Sequence, residues 1–252
     1  MTNEFLYGGF SVLFDRKLLK SVAVPFLLFL SVLGVPSLGC AEGNFYHRLA
    51  DAAIERTTHK ITYDGAYVGL KYPNGDVAPN IGVCTDVIIR SYRKVGADLQ
   101  SLIHKDMVKH FSLYPSKRIW GLTKTDKNID HRRVPNQRVF FERYGKSLPV
   151  TTHADDYKAG DIVSWRLNSG RAHIGIVTYL KSPKTGNPLV VHNVGDGPQI
   201  EDALFVYKIT GHYRYNPNDT HALKNMRVSN QAPSHKKIKI AKKVLSKIVE
   251  IQ

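Results

Sequence analysis

Apolar residues recur at helical spacing through much of the first half of the chain. This pattern predicts four helices, one beginning at Asn44 and the others over 84–96, 98–114 and 136–144. Asn44 and Asp98 suit helix starts because their side chains accept backbone N–H groups, and Gly96 is typical of a helix end. The intervening segment 57–80 is rich in Gly, Pro, Tyr and Asp, which predicts a loop with short extended pieces.

Beyond residue 160 the spacing changes to the alternation typical of strands. Strands are predicted over 161–166, 172–180 and 189–194, with one or two more over 205–207 and 212–215. Turn-forming residues such as Asn168-Ser169-Gly170 separate them. Helices followed by hairpin-linked strands indicate an α+β fold, in which N-terminal helices pack on a mainly antiparallel sheet.

The two ends of the chain differ from this central part. Basic residues, an apolar run and the small residues Gly39 and Ala41 resemble a secretory signal, so we assign 1–41 to a signal peptide cleaved after Ala41. A retained membrane anchor and lipidation at Cys40 are the alternatives. We expect the domain to cover 42–216 and the protein to be exported to the periplasm. Residues 217–252 form a basic linker and amphipathic tail, which either contacts an anionic membrane or is a solvated helix.

Charge and cysteine content narrow the classes of function. The formal net charge of +15 suggests an anionic partner such as cell wall or membrane, whereas the export signal argues against nucleic acid. The chain has two cysteines and lacks HExxH and HxH spacings. We therefore expect no metal and no cofactor.

Cys84 lies at the start of a predicted helix, directly after the loop residues Ile81-Gly82-Val83. Unpaired N–H groups at a helix N-terminus favour negative charge, which suits a reactive thiolate. Signal cleavage would remove Cys40 and leave Cys84 as a lone thiol in an oxidising compartment. These features favour a catalytic nucleophile over a buried, inert cysteine.

A thiol nucleophile needs a base and a group that orients the base. Strand alternation puts His173, Gly175 and Val177 on one face of their strand, with open space beside Gly175. The next strand carries His192 and Asn193, of which alternation allows only one to face His173. Cysteine, then histidine, then a polar residue is the order found in papain-like thiol hydrolases.

Several motifs make this resemblance specific. Residues 84–90 with Tyr92 and Gly96 resemble the nucleophile helix of NlpC-type cell-wall peptidases, and 160–165 and 172–177 resemble their GD(L/I)V and HVGI strands. From about Phe45 to Tyr215 the chain is similar to an exported bacterial family, domain of unknown function 1287. The resemblance implies a papain-like fold and amide hydrolysis in peptidoglycan stem peptides. It implies that Cys84 is the nucleophile, His173 the base and His192 the orienting residue.

The residues expected to bind substrate depart from the NlpC-type motifs. The usual Asp-Cys-Ser-Gly is here Val83-Cys84-Thr85-Asp86, and the usual Tyr-x-x-Gly-Gly is only echoed around Tyr72. We expect the Tyr72 hydroxyl to assist the Cys84 N–H in binding an oxyanion. Arg132 and Arg133 either bind stem-peptide carboxylates or belong to a solvated basic loop.

Two further functions fit the sequence. The same Cys and His chemistry serves an acyltransferase or a lipid amidase or esterase. A non-catalytic wall- or membrane-binding module is the other alternative, although every residue type of the triad is present.

Overall fold

A computed structural model describes residues 38–219, with side chains from Phe45 onward. Most of the predicted signal peptide and most of the predicted tail lie outside the described residues. Within 38–219, no helix has both the length and the apolar character needed to cross a bilayer. The helices are α1 Leu38–Arg56, α2 Cys84–Lys94, α3 Leu99–His110, α4 Ser116–Trp120 and α5 Val134–Tyr144.

Six strands form one antiparallel sheet in the order β3-β8-β4-β5-β6-β7. They are β3 Lys146–Ser147, β4 Ile162–Arg166, β5 Ala172–Lys181, β6 Pro188–Asn193, β7 Pro198–Glu201 and β8 Lys208–Arg214. Two further strands, β1 Thr62–Tyr63 and β2 Ile81–Gly82, pair in parallel. The predicted α+β class with N-terminal helices against an antiparallel sheet is confirmed.

Each face of the sheet has its own core. Ile174 and Ile176 of β5 pack against α1 and α2 in the larger core, which also contains Cys84. Val177 belongs to a smaller core on the other face, together with Trp165 and Leu204. The predicted alternation along β5 is therefore confirmed, and Trp165 is a core residue.

The predicted elements differ from the structure mainly in the short segments. The first helix begins at Leu38, before Asn44, and the third ends at His110, where a 3₁₀ turn follows over Phe111–Leu113. The strand predicted over 205–207 is a turn. Instead, β7 forms a hairpin with β6. Neither β3 nor α4 was predicted, because two to five residues are too few to show a period.

Candidate active site

Cys84 is the first residue of α2. Val83 precedes it in an extended conformation, and the Val83 N–H donates to Asp86 Oδ2 over 2.7 Å. A carboxylate at the third helical position satisfies an exposed N–H and suits the positive end of the helix. Asp86 therefore caps the turn that holds the thiol, and Cys84 is only 5% exposed.

The surroundings of Cys84 favour a neutral thiol. Burial raises the pKa of Cys84 to about 12, and the nearby Asp86 carboxylate adds to this effect. Backbone N–H groups of Ile174, Thr85 and Cys84 itself act in the opposite direction but are outweighed. At neutral pH the resting site thus holds a thiol, which differs from the activated thiolate expected from its helical position.

His173 and His192 meet on the face of the sheet that carries Trp165. His173 Nε2 lies 3.0 Å from His192 Nδ1, and the Trp165 ring stacks on the His173 ring at a centroid distance of 5.7 Å. A Cβ at Gly175 would come within 3.1 Å of His192 Cβ, so glycine provides the space for this imidazole. Both rings are buried, at 2% exposure each.

Glu201 extends this pair, and sequence reasoning did not identify it. The antiparallel pairing of β6 with β7 puts Glu201 on the same face as His192. Its Oε2 lies 2.9 Å from His192 Nε2, an ion-pair distance at which the ring N–H is not aligned as a hydrogen bond. The Asp196-Gly197 turn between two extended segments was the available signal, since such turns join hairpin strands.

The order of these contacts determines where the protons lie. A carboxylate accepts only, so His192 carries a proton on Nε2 toward Glu201. The lone pair on Nδ1 of a neutral His192 then accepts the Nε2–H of His173. This leaves the lone pair of His173 on Nδ1. Burial, with a contribution from His192, lowers the pKa of His173 to about 3, so the ring is neutral at pH 7.

The Cys84 thiol and the His173 ring lie on opposite faces of the sheet, in the larger core and on the Trp165 side respectively, and the thiol meets β5 at its backbone. The thiol lies against the N–H of Ile174, the residue after His173. Among the hydrogen bonds of residues 45–219, none joins the Cys84 thiol directly to the His173 ring. In enzymes without substrate such contacts are often long and shorten when substrate binds.

The alternative orienting residue, Asn193, has a different position. Its Nδ2 donates to the Gly82 carbonyl over 3.4 Å, on the side of β6 that faces β2. Between the two candidates, the structure therefore brings His192 and not Asn193 to His173.

Tyr63, and not Tyr72, is the tyrosine beside Cys84. Tyr63 pairs with Gly82 in the β1–β2 ladder, two residues before Cys84. Burial raises the pKa of its hydroxyl, and Cys84 is the next largest cause. Tyr72 instead packs on α3, where its hydroxyl lies 3.5 Å from Ser101 Oγ. The expectation for Tyr72 is corrected accordingly, since a register between two-residue strands leaves no local signal.

Arg132 is a structural cation and does not face a substrate. Its Nε and Nη2 donate to the two carboxylate oxygens of Asp86 over 2.9 and 2.8 Å, and both side chains are almost fully buried. It also donates to the carbonyls of Asp64 and Ala66, directly after Tyr63. The proposed carboxylate-binding role of Arg132 is thus wrong, because its guanidinium already donates to Asp86 and to backbone carbonyls.

Arg133 is also engaged within the protein. Its guanidinium stacks over the Trp120 ring at 4.0 Å and lies 3.6 Å from Asp130 Oδ1. It belongs neither to a solvated loop nor to the group around Cys84. Within the described residues, no three His, Cys, Asp or Glu side chains converge as a metal-binding group.

Comparison with known proteins places the chain in a family. The model of a domain of unknown function, DUF1287, matches residues 50–215. The uncharacterized protein YijF of Escherichia coli (strain K12) is 46% identical over 202 residues, which cover 80% of this chain and 92% of YijF. The structure of NlpC1 from Trichomonas vaginalis matches with a TM-score of 0.38 at 15% identity, over 68% of this chain and 44% of that one. The family-model match and the 46% identity to YijF show that the chain belongs to the DUF1287 family.

Proposed function

We propose that this protein is an exported thiol hydrolase that cleaves an amide bond in peptidoglycan stem peptides. The observation that carries the proposal is the contact chain from Glu201 through His192 to His173, which ends one residue from the N–H that touches Cys84. A nucleophile, a base and a group that fixes the base are the three parts that such chemistry requires.

The first step starts from a neutral Cys84 thiol and a neutral His173 imidazole, and it requires Nδ1 of His173 to come within hydrogen-bond distance of the Cys84 sulfur when substrate binds. The Cys84 sulfur attacks the amide carbonyl carbon while its proton passes to Nδ1 of His173. Glu201 and His192 stabilise the resulting imidazolium from the far side. The tetrahedral intermediate collapses when the same proton is delivered to the leaving nitrogen, which releases an amine and leaves a thioester on Cys84.

Water completes the reaction by the reverse route. His173 takes a proton from the water, the oxygen attacks the thioester carbon, and the C–S bond breaks. The products are a carboxylic acid and the regenerated Cys84 thiol. Both steps pass through an oxyanion. The Cys84 N–H is an oxyanion donor because the first residue of a helix has no partner within the helix, and the Tyr63 hydroxyl is the second donor.

The choice of substrate rests on charge and on export. A chain of net charge +15 with a signal-like N-terminus suits the anionic polymer outside the cytoplasmic membrane. The exposed Arg171 lies close enough to Tyr63 to favour ionisation of its hydroxyl. Because Arg132 and Arg133 are engaged elsewhere, Arg171 replaces them as the cation that receives a stem-peptide carboxylate.

Digestion of purified peptidoglycan tests the proposal. Wild-type protein should release new muropeptides, whereas Cys84→Ala and His173→Ala should release none. His104→Ala removes a histidine outside the relay and should retain the wild-type pattern. Equal products from wild-type and Cys84→Ala proteins would exclude the hydrolase.

A further inference from the structure

A basic cleft lies at the opposite end of α2 from Cys84, about 15 Å along the helix. Its cavity volume is about 500 Å³, within the range of small-molecule sites. It is formed by the last turns of α1 and α2 and the loop 76–79. The charged side chains that line it are Glu55, Arg56, Asp76, Arg90, Arg93 and Lys94.

Positive charge exceeds negative charge in this cleft by two. Four cations face two carboxylates, and Asp76 is shared, because Arg90 Nε lies 3.0 Å and Arg93 Nη1 2.7 Å from the same oxygen. Glu55 forms an ion pair with Lys94, whose Nζ lies 3.2 Å from Glu55 Oε2. No carboxylate of the cleft therefore remains to pair with Arg56.

Arg56 is the cation without a partner. Its side chain forms no hydrogen bond or ion pair with any residue of 45–219, and its Nε is buried and unpaired. The Nε of Arg93, on the facing helix, is likewise buried without an acceptor. Burial and the nearby Arg90 lower the pKa of Arg56, and the Glu55 and Asp76 carboxylates act in the opposite direction without reversing this shift. The partial negative charge at the end of α1 compensates only in part.

We propose that this cleft binds a phosphate group, carried either by a soluble phosphate compound or by the headgroup of an anionic lipid. Arg56 and Arg93 line the cleft from facing helices, and planar guanidinium groups suit the oxygens of a phosphate. Phosphate monoesters are mostly dianionic above pH 7, which balances the two excess charges. The site is independent of the chemistry at Cys84.

Titration of the full chain with inorganic phosphate, followed by calorimetry at low chloride, tests the site. Wild-type protein should bind with a Kd of roughly 1 mM or tighter, and Arg56→Gln should weaken binding at least about tenfold. Arg166→Gln removes the same charge from an exposed strand residue and should bind like wild type. Cys84→Ala should also bind like wild type, which separates this site from the proposed hydrolase.

Stability provides a second measurement. Arg56 has no protein partner to lose, so Arg56→Gln without phosphate should melt at or above the wild-type temperature. Added phosphate should raise the melting temperature of wild type but not of this variant. Absence of phosphate binding, or equal affinity for wild type and Arg56→Gln, would overturn the proposal.

Vesicles containing phosphatidylglycerol then identify the source of the phosphate group. If vesicle binding is lost in Arg56→Gln and retained in Arg166→Gln, the cleft takes a lipid headgroup. If both variants bind vesicles alike while only Arg56→Gln loses inorganic phosphate, the cleft takes a soluble phosphate compound.

Discussion

Glu201→Gln tests the proton relay most specifically, because it changes one charged contact and little volume. Glu201 Oε2 lies 2.9 Å from His192 Nε2, and the carboxylate determines which nitrogen of His192 carries the proton. The glutamine amide presents either an acceptor or a donor to this nitrogen. The order of donors along His192 and His173 is then no longer imposed.

The expected size of the effect follows from the exposure of Glu201. A well-aligned charge-assisted hydrogen bond contributes about 1.5–3 kcal/mol. The poor alignment of this contact and the 46% exposure of its carboxylate put its value at the lower end. About 1.4 kcal/mol corresponds to a tenfold change in rate. We therefore expect kcat/KM on a stem peptide to fall roughly tenfold, far less than for His173→Ala.

Two measurements separate this role from a purely structural one. Nitrogen NMR of the histidines should show His173 and His192 protonated at Nε2 in the wild type and a mixture of tautomers in Glu201→Gln. Glu55→Gln is the matched control, since Glu55 is 44% exposed and pairs with a surface lysine. Unchanged tautomers together with wild-type kcat/KM in Glu201→Gln would refute the relay.

Four further predictions concern the thiol, the supporting ion pair, the packing and the pH dependence. Because the pKa of Cys84 is about 12, the rate of its alkylation by iodoacetamide should still be rising at pH 10. A plateau near pH 7 would contradict a neutral Cys84 thiol at that pH. Arg132→Met leaves the buried Asp86 without a cation and should cost about 3–5 kcal/mol in urea unfolding, while the exposed Arg166→Met should cost little. Gly175→Ala should cost about 1–3 kcal/mol and displace His192, because the added Cβ would lie 2.9 Å from Val191 O, whereas Gly69→Ala meets nothing within 4 Å. Burial lowers the pKa of His131 and of His173 to about 3, so between pH 6.5 and 3 the unfolded chain binds protons that the folded chain does not. Stability should therefore fall with decreasing pH by about 1.4 kcal/mol per unit for each histidine, and a urea midpoint equal at pH 7 and pH 5 would contradict this.

The sequence was sufficient to predict the positions of residues in helices and strands that follow a regular period. Helical spacing placed Cys84 at the start of α2, and alternation placed His173 opposite Ile174 on β5. The choice between His192 and Asn193 depended on hairpin register, which alternation constrains but does not determine. In the structure His192 lies 3.0 Å from His173, whereas Asn193 contacts the Gly82 carbonyl.

Residues brought together by distant pairing were not predictable. Tyr63 reaches Cys84 only through a two-residue parallel ladder, and Glu201 reaches His192 from a strand of four residues. Arg132 pairs with Asp86 across 46 residues of chain. In each case the partner is set by tertiary packing, so local composition indicated a loop or a solvated charge.

The Asp86–Arg132 pair balances charge in the turn that begins with Cys84. The charge of Asp86 disfavours a thiolate at Cys84. Arg132 neutralises it and at the same time holds the backbone that follows Tyr63.

Trapping of the acyl-enzyme tests the central claim most directly. Wild-type protein mixed with a stem peptide and quenched in acid should carry a peptide fragment as a thioester on Cys84, identified by mass spectrometry of the digested protein. Cys84→Ala should carry no adduct and release no amine. Amine release by Cys84→Ala at the wild-type rate would contradict the account.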